Sequence, residues 1–350
     1  MKKRSWKSYF NFIFLVLVFS YTMWSVFHGE DLNQVLTYLQ TANPLYIILG
    51  VVCVILFILG ESVCIHYLMR TLGTKVKMGH CCLYSFIGFF YSSITPSASG
   101  GQPMQMIAMR KDKIPIAVSS VVLAIVTITY KLVLVVIGVV VLLIRPPQLM
   151  GYVEQSGAEA IIWIGLGLNV IAISLLLLLV FHPTLVRKCA VRILMWINRI
   201  RPFKNLEGKM ARLDKAIGQY HGTADYYRTH KRVIVNVFLI TLVQRVILFL
   251  VTWLTYLAFG LSGESLLVIV GLQALISVAA DMMPLPGGMG VSETLFLQIF
   301  LPIFGQALIV PGMMISRGIS FYTQTLISAV MTIAASFLIR DQNRRENLSE

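Results

Sequence analysis

Apolar residues fall into long unbroken runs at 9–27, 44–66, 116–144, 158–181, 233–259 and 315–339. A helix needs about 20 residues to cross ~30 Å of hydrocarbon, so each run predicts a spanning helix. Two further apolar stretches, 80–109 and 265–304, are interrupted by glycine and proline. In a bilayer such breaks persist only where protein or a wet cavity satisfies the freed backbone groups. The pattern predicts an all-α polytopic membrane protein, with six spanning helices and two re-entrant broken-helix hairpins. From 183 to 232 the pattern changes. Arg187, Lys188, Arg192, Arg199 and Arg201 alternate with Leu185, Val191, Leu194, Trp196 and Ile200, which predicts one or two basic amphipathic helices on the cytoplasmic surface.

The two interrupted stretches share a register. Gly100 and Gly101 precede Gly287 and Gly288 by 187 residues, and Gly73 precedes Gly260 by the same 187. Lys131 follows Gly101 by 30 residues, and Arg317 follows Gly288 by 29. The chain then divides into a first helix (9–27), a first repeat (44–144, hairpin 80–109), a linking helix (158–181), the basic segment (183–232) and a second repeat (233–339, hairpin 265–304). If the hairpins open to opposite sides, the halves form an inverted repeat, an arrangement that places transporter substrates at mid-membrane between broken helices.

Charge gives the orientation without separating a re-entrant hairpin from two full crossings; the short arm from Gly101 to Met109, about 14 Å long, favours the hairpin. The 350 residues hold 29 Lys and Arg against 15 Asp and Glu, a net charge of +14. Clusters at 2–7, 70–77, 110–113, 187–232 and 340–345 contain 25 of these 29 cations. All lie on one side if each hairpin enters and leaves by the same face. The positive-inside rule makes that side the cytoplasm, so the chain is expected in the cytoplasmic membrane with both termini cytoplasmic. A basic chain can also indicate nucleic acid. The apolar runs favour anionic lipid instead, and no nucleic-acid partner is expected. The N-terminal Lys2-Lys3-Arg4 imitates a signal peptide, but 9–27 is too long and no small-residue cleavage site follows. Cys53, Cys64, Cys81, Cys82 and Cys189 are odd in number and lie mostly in apolar runs, which fits buried apolar residues rather than a disulfide framework.

Six ionisable residues interrupt apolar runs: Lys131, Arg245 and Arg317, and Glu61, Asp281 and Glu293. Each costs roughly 2.5–3.5 kcal/mol near mid-membrane. Left alone, the six would cost more than a typical stability of ~5–15 kcal/mol. They are expected to pair, to line water, or both. The cations suit a lipid phosphate. The acids suit holding the cations, contacting a head-group amine or carrying a coupling proton. A glycine-opened helix N-terminus also attracts phosphate. Ser97, Ser99, Gly100, Gly101, Gln102, Gly287, Gly288 and Gly290 are therefore further candidate phosphate ligands. No P-loop follows the glycine pairs, and no catalytic triad or metal-ligand spacing is evident. No catalytic residue, metal or cofactor is expected.

The runs Ser93-Ile94-Thr95-Pro96-Ser97-Ala98-Ser99-Gly100-Gly101-Gln102-Pro103-Met104-Gln105 and Pro284-Leu285-Pro286-Gly287-Gly288-Met289-Gly290-Val291-Ser292-Glu293 resemble two signatures of the lysylphosphatidylglycerol synthase/flippase membrane-domain family. The resemblance covers nearly the whole chain. It implies a membrane domain that flips aminoacylated phosphatidylglycerol outward, lowering surface charge and giving resistance to cationic antimicrobial peptides. Full-length members add a soluble domain that makes the lipid from lysyl-tRNA. This chain stops about ten residues after its last apolar run, so the flippase half is expected and the synthase half is not.

The expected function is translocation of an anionic or aminoacylated phospholipid, such as lysylphosphatidylglycerol, or of a polyprenyl-phosphate lipid. A separate lipid-synthesising enzyme and a second copy of the chain are further partners the reading allows. Two alternatives stay open: a phosphatidylglycerol lysyltransferase, and an ion-coupled carrier of a small solute.

Overall fold

The computed structural model describes residues 32–95, 98–182, 206–283 and 285–334, together with 187–188, 191–192 and 195–196. The expected first helix at 9–27, most of the basic stretch before 206, and the end of the last apolar run lie outside these residues. Among the described residues the elements are helical. In chain order they are α1 (Leu32–Thr41), α2 (Pro44–Thr71), α3 (Met78–Ser93), α4 (Gly101–Lys111), α5 (Ile116–Ile144), α6 (Pro147–Ser156), α7 (Glu159–Phe181), α8 (Leu206–Thr229), α9 (Lys231–Ala258), α10 (Leu266–Ala280) and α11 (Val291–Arg317). A 3₁₀ turn, Pro286–Gly288, precedes α11, and a π-helical segment, Gly318–Thr323, comes directly after it.

Local chemistry sets the ends of these helices. Asn43 accepts the Leu45 amide at 3.0 Å and opens α2, with proline next in the chain. Such a side-chain oxygen satisfies one of the amides a helix start leaves open. Ser265 does the same for α10, accepting from Val268 at 3.3 Å. Gly73 and Gly260, with φ of 72° and 69°, turn the chain after α2 and α9. The helices α2 and α9 are each 28 residues long. Their starts, their ends and the ends of α3 and α10 are all 187 residues apart.

Five stretches among the described residues are long and apolar enough to cross a bilayer: Pro44–Thr71, Ile116–Ile144, Glu159–Phe181, Lys231–Ala258 and Val291–Ala334. The last holds 44 residues. As one straight helix it would measure about 66 Å, twice the hydrocarbon thickness. It is instead broken at Gly305, whose φ of 70° and ψ of 167° leave the helical region. The arm before the break is about 21 Å long and the segment after it about 43 Å, at 1.5 Å per residue. The apolar run predicts a start at 315, ten residues too late. Leu308 to Ile315 is itself apolar, so hydropathy does not mark a boundary at 315. The arms α3, α4 and α10 measure about 24, 17 and 22 Å on the same rise, all short of ~30 Å.

The most extensive helix pair is α2 with α9. A Cβ at Gly60 would stand 2.8 Å from Gln244 Cγ, so glycine is what allows this approach. One core gathers the second hairpin with α5, α6 and α7. Another gathers α2, α3, α4 and α8, and α5, α7 and α9 contribute to both. Two short helices, α1 and α6, are absent from the apolar pattern because neither is long enough to register as a run. The helix α8 docks on protein as well as facing solvent. Tyr227 is buried and donates to the Leu68 carbonyl at 2.8 Å, and Tyr220 donates to Leu179 at 3.1 Å. The cysteines Cys53, Cys64, Cys81 and Cys82 are free.

Candidate functional site

Helices α2, α3, α4, α5, α9 and α10 enclose a cavity of about 450 Å³, closed further by the 3₁₀ turn and the π segment. Both chain breaks reach it, the first through Ser99 and the second through Gly287 and Gly288. The 3₁₀ turn packs against α3, so the two hairpins meet. Phe57, Phe89, Phe249 and Phe321 form apolar wall. Glu61, Lys131, Arg245, Asp281 and Arg317 all face the same space.

Two of the three cations are already held. Lys131 Nζ donates to Asp281 Oδ2 at 2.6 Å and lies 3.0 Å from Met282 Sδ. Arg317 Nε donates to Glu293 Oε1 at 2.8 Å, and its Nη2 donates to the Gly287 carbonyl at 3.1 Å. Glu293 Oε2 in turn accepts the Gly290 amide at 2.7 Å, capping α11. These contacts satisfy a buried charge by pairing and hydrogen bonding together, as a low-dielectric site demands.

Arg245 is different. Its residue is 3% exposed, and its Nε and Nη2 have no hydrogen-bond partner. The guanidinium lies over the Tyr130 ring, 3.3 Å from the centroid, with Phe57 at 5.7 Å. The carboxylates of Asp281 and Glu61 act on it through space, but neither forms an ion pair with it. Glu61 Oε1 accepts from Gln105 Nε2 at 2.7 Å. A guanidinium with unmet donors on the wall of a cavity this large is suited to an oxyanion, which offers charge and paired acceptors at once.

Three of the candidate glycines use their amides within the turns. The Gly100 amide donates to Thr95 Oγ1 at 2.9 Å, Gly288 donates to the Leu285 carbonyl at 3.1 Å, and Gly290 donates to Glu293. These amides are not open to a phosphate, because the short turns cap themselves. Gly101 is buried, and a Cβ there would lie 2.1 Å from Ser92 Oγ. Gly287 takes φ 60°, and a Cβ there would lie 2.0 Å from the Phe321 ring.

Of the expected residues, Ser99, Gln102, Gly287, Gly288, Lys131, Arg245, Arg317, Glu61 and Asp281 line the cavity. Gly100, Gly101, Gly290 and Glu293 are not among the residues that line it. Ser97 lies outside the described residues. Gln102 Nε2 donates to Thr127 Oγ1. Sequence reasoning missed Gln105 and Tyr130, which fix Glu61 and Arg245. It also missed Thr252, which donates to Gln273 Oε1 at 2.9 Å and lies 3.0 Å from Ser316 Oγ. The readable signal was polarity inside apolar runs: Gln244 and Gln273 interrupt such runs as Arg245 does.

These features define a multi-pass helical membrane protein with a charged cavity between its broken segments. The family model for the lysylphosphatidylglycerol synthase TM region matches residues 12–328, and the chain belongs to that family. No curated protein matches the chain.

Proposed function

We propose that the protein translocates a phosphate-bearing lipid across the cytoplasmic membrane, with the head group passing through the cavity and the acyl chains remaining in the bilayer. The observation that carries this reading is Arg245. It is a buried cation on the cavity wall with two donor groups unmet. Its position between the two hairpins fits a head group approached from either side. In this reading α2–α5 and the chain from α9 to Ala334 act as an inverted repeat. The first hairpin opens to the cytoplasm, the second to the outside, and both termini are cytoplasmic. The common 187-residue offset supports the repeat. The basic clusters at 70–77 and 110–113, at the ends of α2 and α4, support the orientation. The cargo class is an anionic or aminoacylated phospholipid, for which lysylphosphatidylglycerol is the family's example, or a polyprenyl-phosphate lipid.

The test is reconstitution of the full chain into vesicles carrying trace phosphatidylglycerol labelled on an acyl chain. Protein should accelerate exchange between leaflets. Arg245→Gln should slow it about tenfold or more, the scale set by losing hydrogen bonds to a charged partner. An Arg245→Gln protein that folds and moves lipid at the original rate would overturn the reading.

A further inference from the structure

Three cations meet the cavity, and one of them is free to take a ligand. Lys131 is held by Asp281 at 2.6 Å, with the two side chains 14% and 12% exposed. Arg317 is held by Glu293 at 2.8 Å, with the two side chains 13% and 1% exposed. Arg245 alone among these three lacks an ion-pair partner, and its donors are unmet.

These pairings bear on which phosphate can enter. A phosphodiester brings one negative charge. A phosphomonoester brings about −1.5 to −2 near neutral pH. The first charge meets Arg245. A second would find Lys131 and Arg317 already paired, and would face the Asp281 carboxylate that holds Lys131 on the same wall. Like charges brought together in a partly buried site are disfavoured.

We propose that Asp281 sets the charge of the accepted phosphate. By holding Lys131 it leaves Arg245 as the single free cation on the wall, so the cavity takes head groups of one negative charge and rejects dianionic phosphomonoesters. The proposal rests on the lipid-translocation reading above and narrows it to phosphodiester lipids. It gives the Lys131–Asp281 pair a task beyond joining α5 to the end of α10. Rejection works by withholding a cation, a form of specificity built on disfavouring the wrong partner.

The test compares phosphatidylmethanol with phosphatidic acid, both labelled on an acyl chain, in vesicles holding the full chain. The two lipids differ by one methyl group and about half to one charge near neutral pH. The original protein should move phosphatidylmethanol about tenfold faster or more, given the cost of an unpaired buried charge. Asp281→Asn frees the Lys131 ammonium and should bring the two rates to within about threefold, as the second charge gains a partner. The double variant Lys131→Gln with Asp281→Asn removes the freed cation and should restore the preference. A purely structural role for the pair would not produce that reversal. Gln102→Lys adds a cation to the same wall without breaking the pair, and should also narrow the ratio, which covers an Asp281→Asn protein that fails to fold. Equal rates for the two lipids in the original protein, or an unchanged ratio in the folded single variants, would overturn the proposal. If neither lipid moves in the original protein, the translocation reading itself fails.

Discussion

Gln244 reaches from α9 to α2 and donates from Nε2 to the Phe57 carbonyl at 2.8 Å, with 187 residues between them. That separation is also the offset between the bounds of α2 and α9. The two residues therefore occupy matching positions in the two segments. Contact between matching positions is what a two-fold axis running between the helices would produce. The contact is close because Gly60, one turn along, has no side chain to keep Gln244 away.

Gln244→Leu should therefore have a modest effect and Gly60→Leu a larger one. The hydrogen bond between helices is worth about 0.6 kcal/mol and at most ~1.7 by comparison with other membrane helices. A side chain at Gly60 begins 2.8 Å from Gln244 Cγ, and overpacking of this kind costs about 1–3 kcal/mol. Unfolding midpoints in detergent should rank the original protein first, Gln244→Leu second and Gly60→Leu last. The reverse order for the two variants would show that the helices do not meet here.

A second prediction concerns α7 and α10. A Cβ at Gly165 would stand 2.5 Å from Ala279 Cα and 2.7 Å from the Val278 carbonyl, whereas one at Gly167 would meet nothing within 4 Å. Backbone atoms cannot rotate aside as a side chain can. Asn169 ties the same helices together by donating to the Val278 carbonyl at 3.2 Å. Gly165→Ala should destabilise by about 1–3 kcal/mol. Gly167→Ala should be neutral or slightly stabilising, since alanine favours a helix over glycine by ~1 kcal/mol. Thermal unfolding of the two variants side by side measures the difference.

Much of this architecture was legible in the chain because bilayer physics is strict about length and polarity. Gly73 and Gly260 marked the ends of α2 and α9 in one register. The intramembrane charges at 61, 131, 245, 281 and 317 pointed to a shared space, since isolated charges there are too costly. Which charge meets which was not legible. Lys131 and Asp281 come from different halves, 150 residues apart, and only packing of α5 against α10 brings them together. The free state of Arg245 is a consequence of those pairings, so it too was hidden. Gly305 was missed because a glycine in an apolar run breaks a helix only when its backbone leaves the helical region, as here. The capping of the Gly100, Gly288 and Gly290 amides by Thr95, Leu285 and Glu293 was hidden too, because it depends on turn geometry that spacing does not reveal.

A third prediction separates Glu293 from Arg317. Each is the other's ion-pair partner, and Glu293 also caps α11 through Gly290. Removing one member of a buried pair strands the other, at about 3–5 kcal/mol. Glu293→Ala should be the more damaging variant, because it loses the cap as well as the pair. The double variant with Arg317→Leu should recover part of the loss, since it leaves no stranded charge. Unfolding midpoints of the three variants test this, and a fully additive double variant would rule out a direct pair.

The last prediction concerns Gly287, where two separate constraints coincide. Its φ of 60° is unfavourable for a residue with a side chain, and a Cβ would lie 2.0 Å from the Phe321 ring of the π segment. The turn must come this close because Arg317 Nη2 donates to the Gly287 carbonyl at 3.1 Å while the same guanidinium lies 4.9 Å from the Phe321 ring centroid. Gly287→Ala should therefore destabilise the protein and displace the turn from the cavity wall. Adding Phe321→Ala removes the clash but not the backbone strain, which costs about 1–2 kcal/mol for a left-handed residue. The double variant should regain part of the stability lost by Gly287→Ala relative to Phe321→Ala alone. Gly287→Asn should be milder per added atom, since asparagine tolerates the left-handed region better than alanine. If Gly287→Ala matched the original protein in both unfolding midpoint and lipid movement, the turn would not hold this conformation against Phe321.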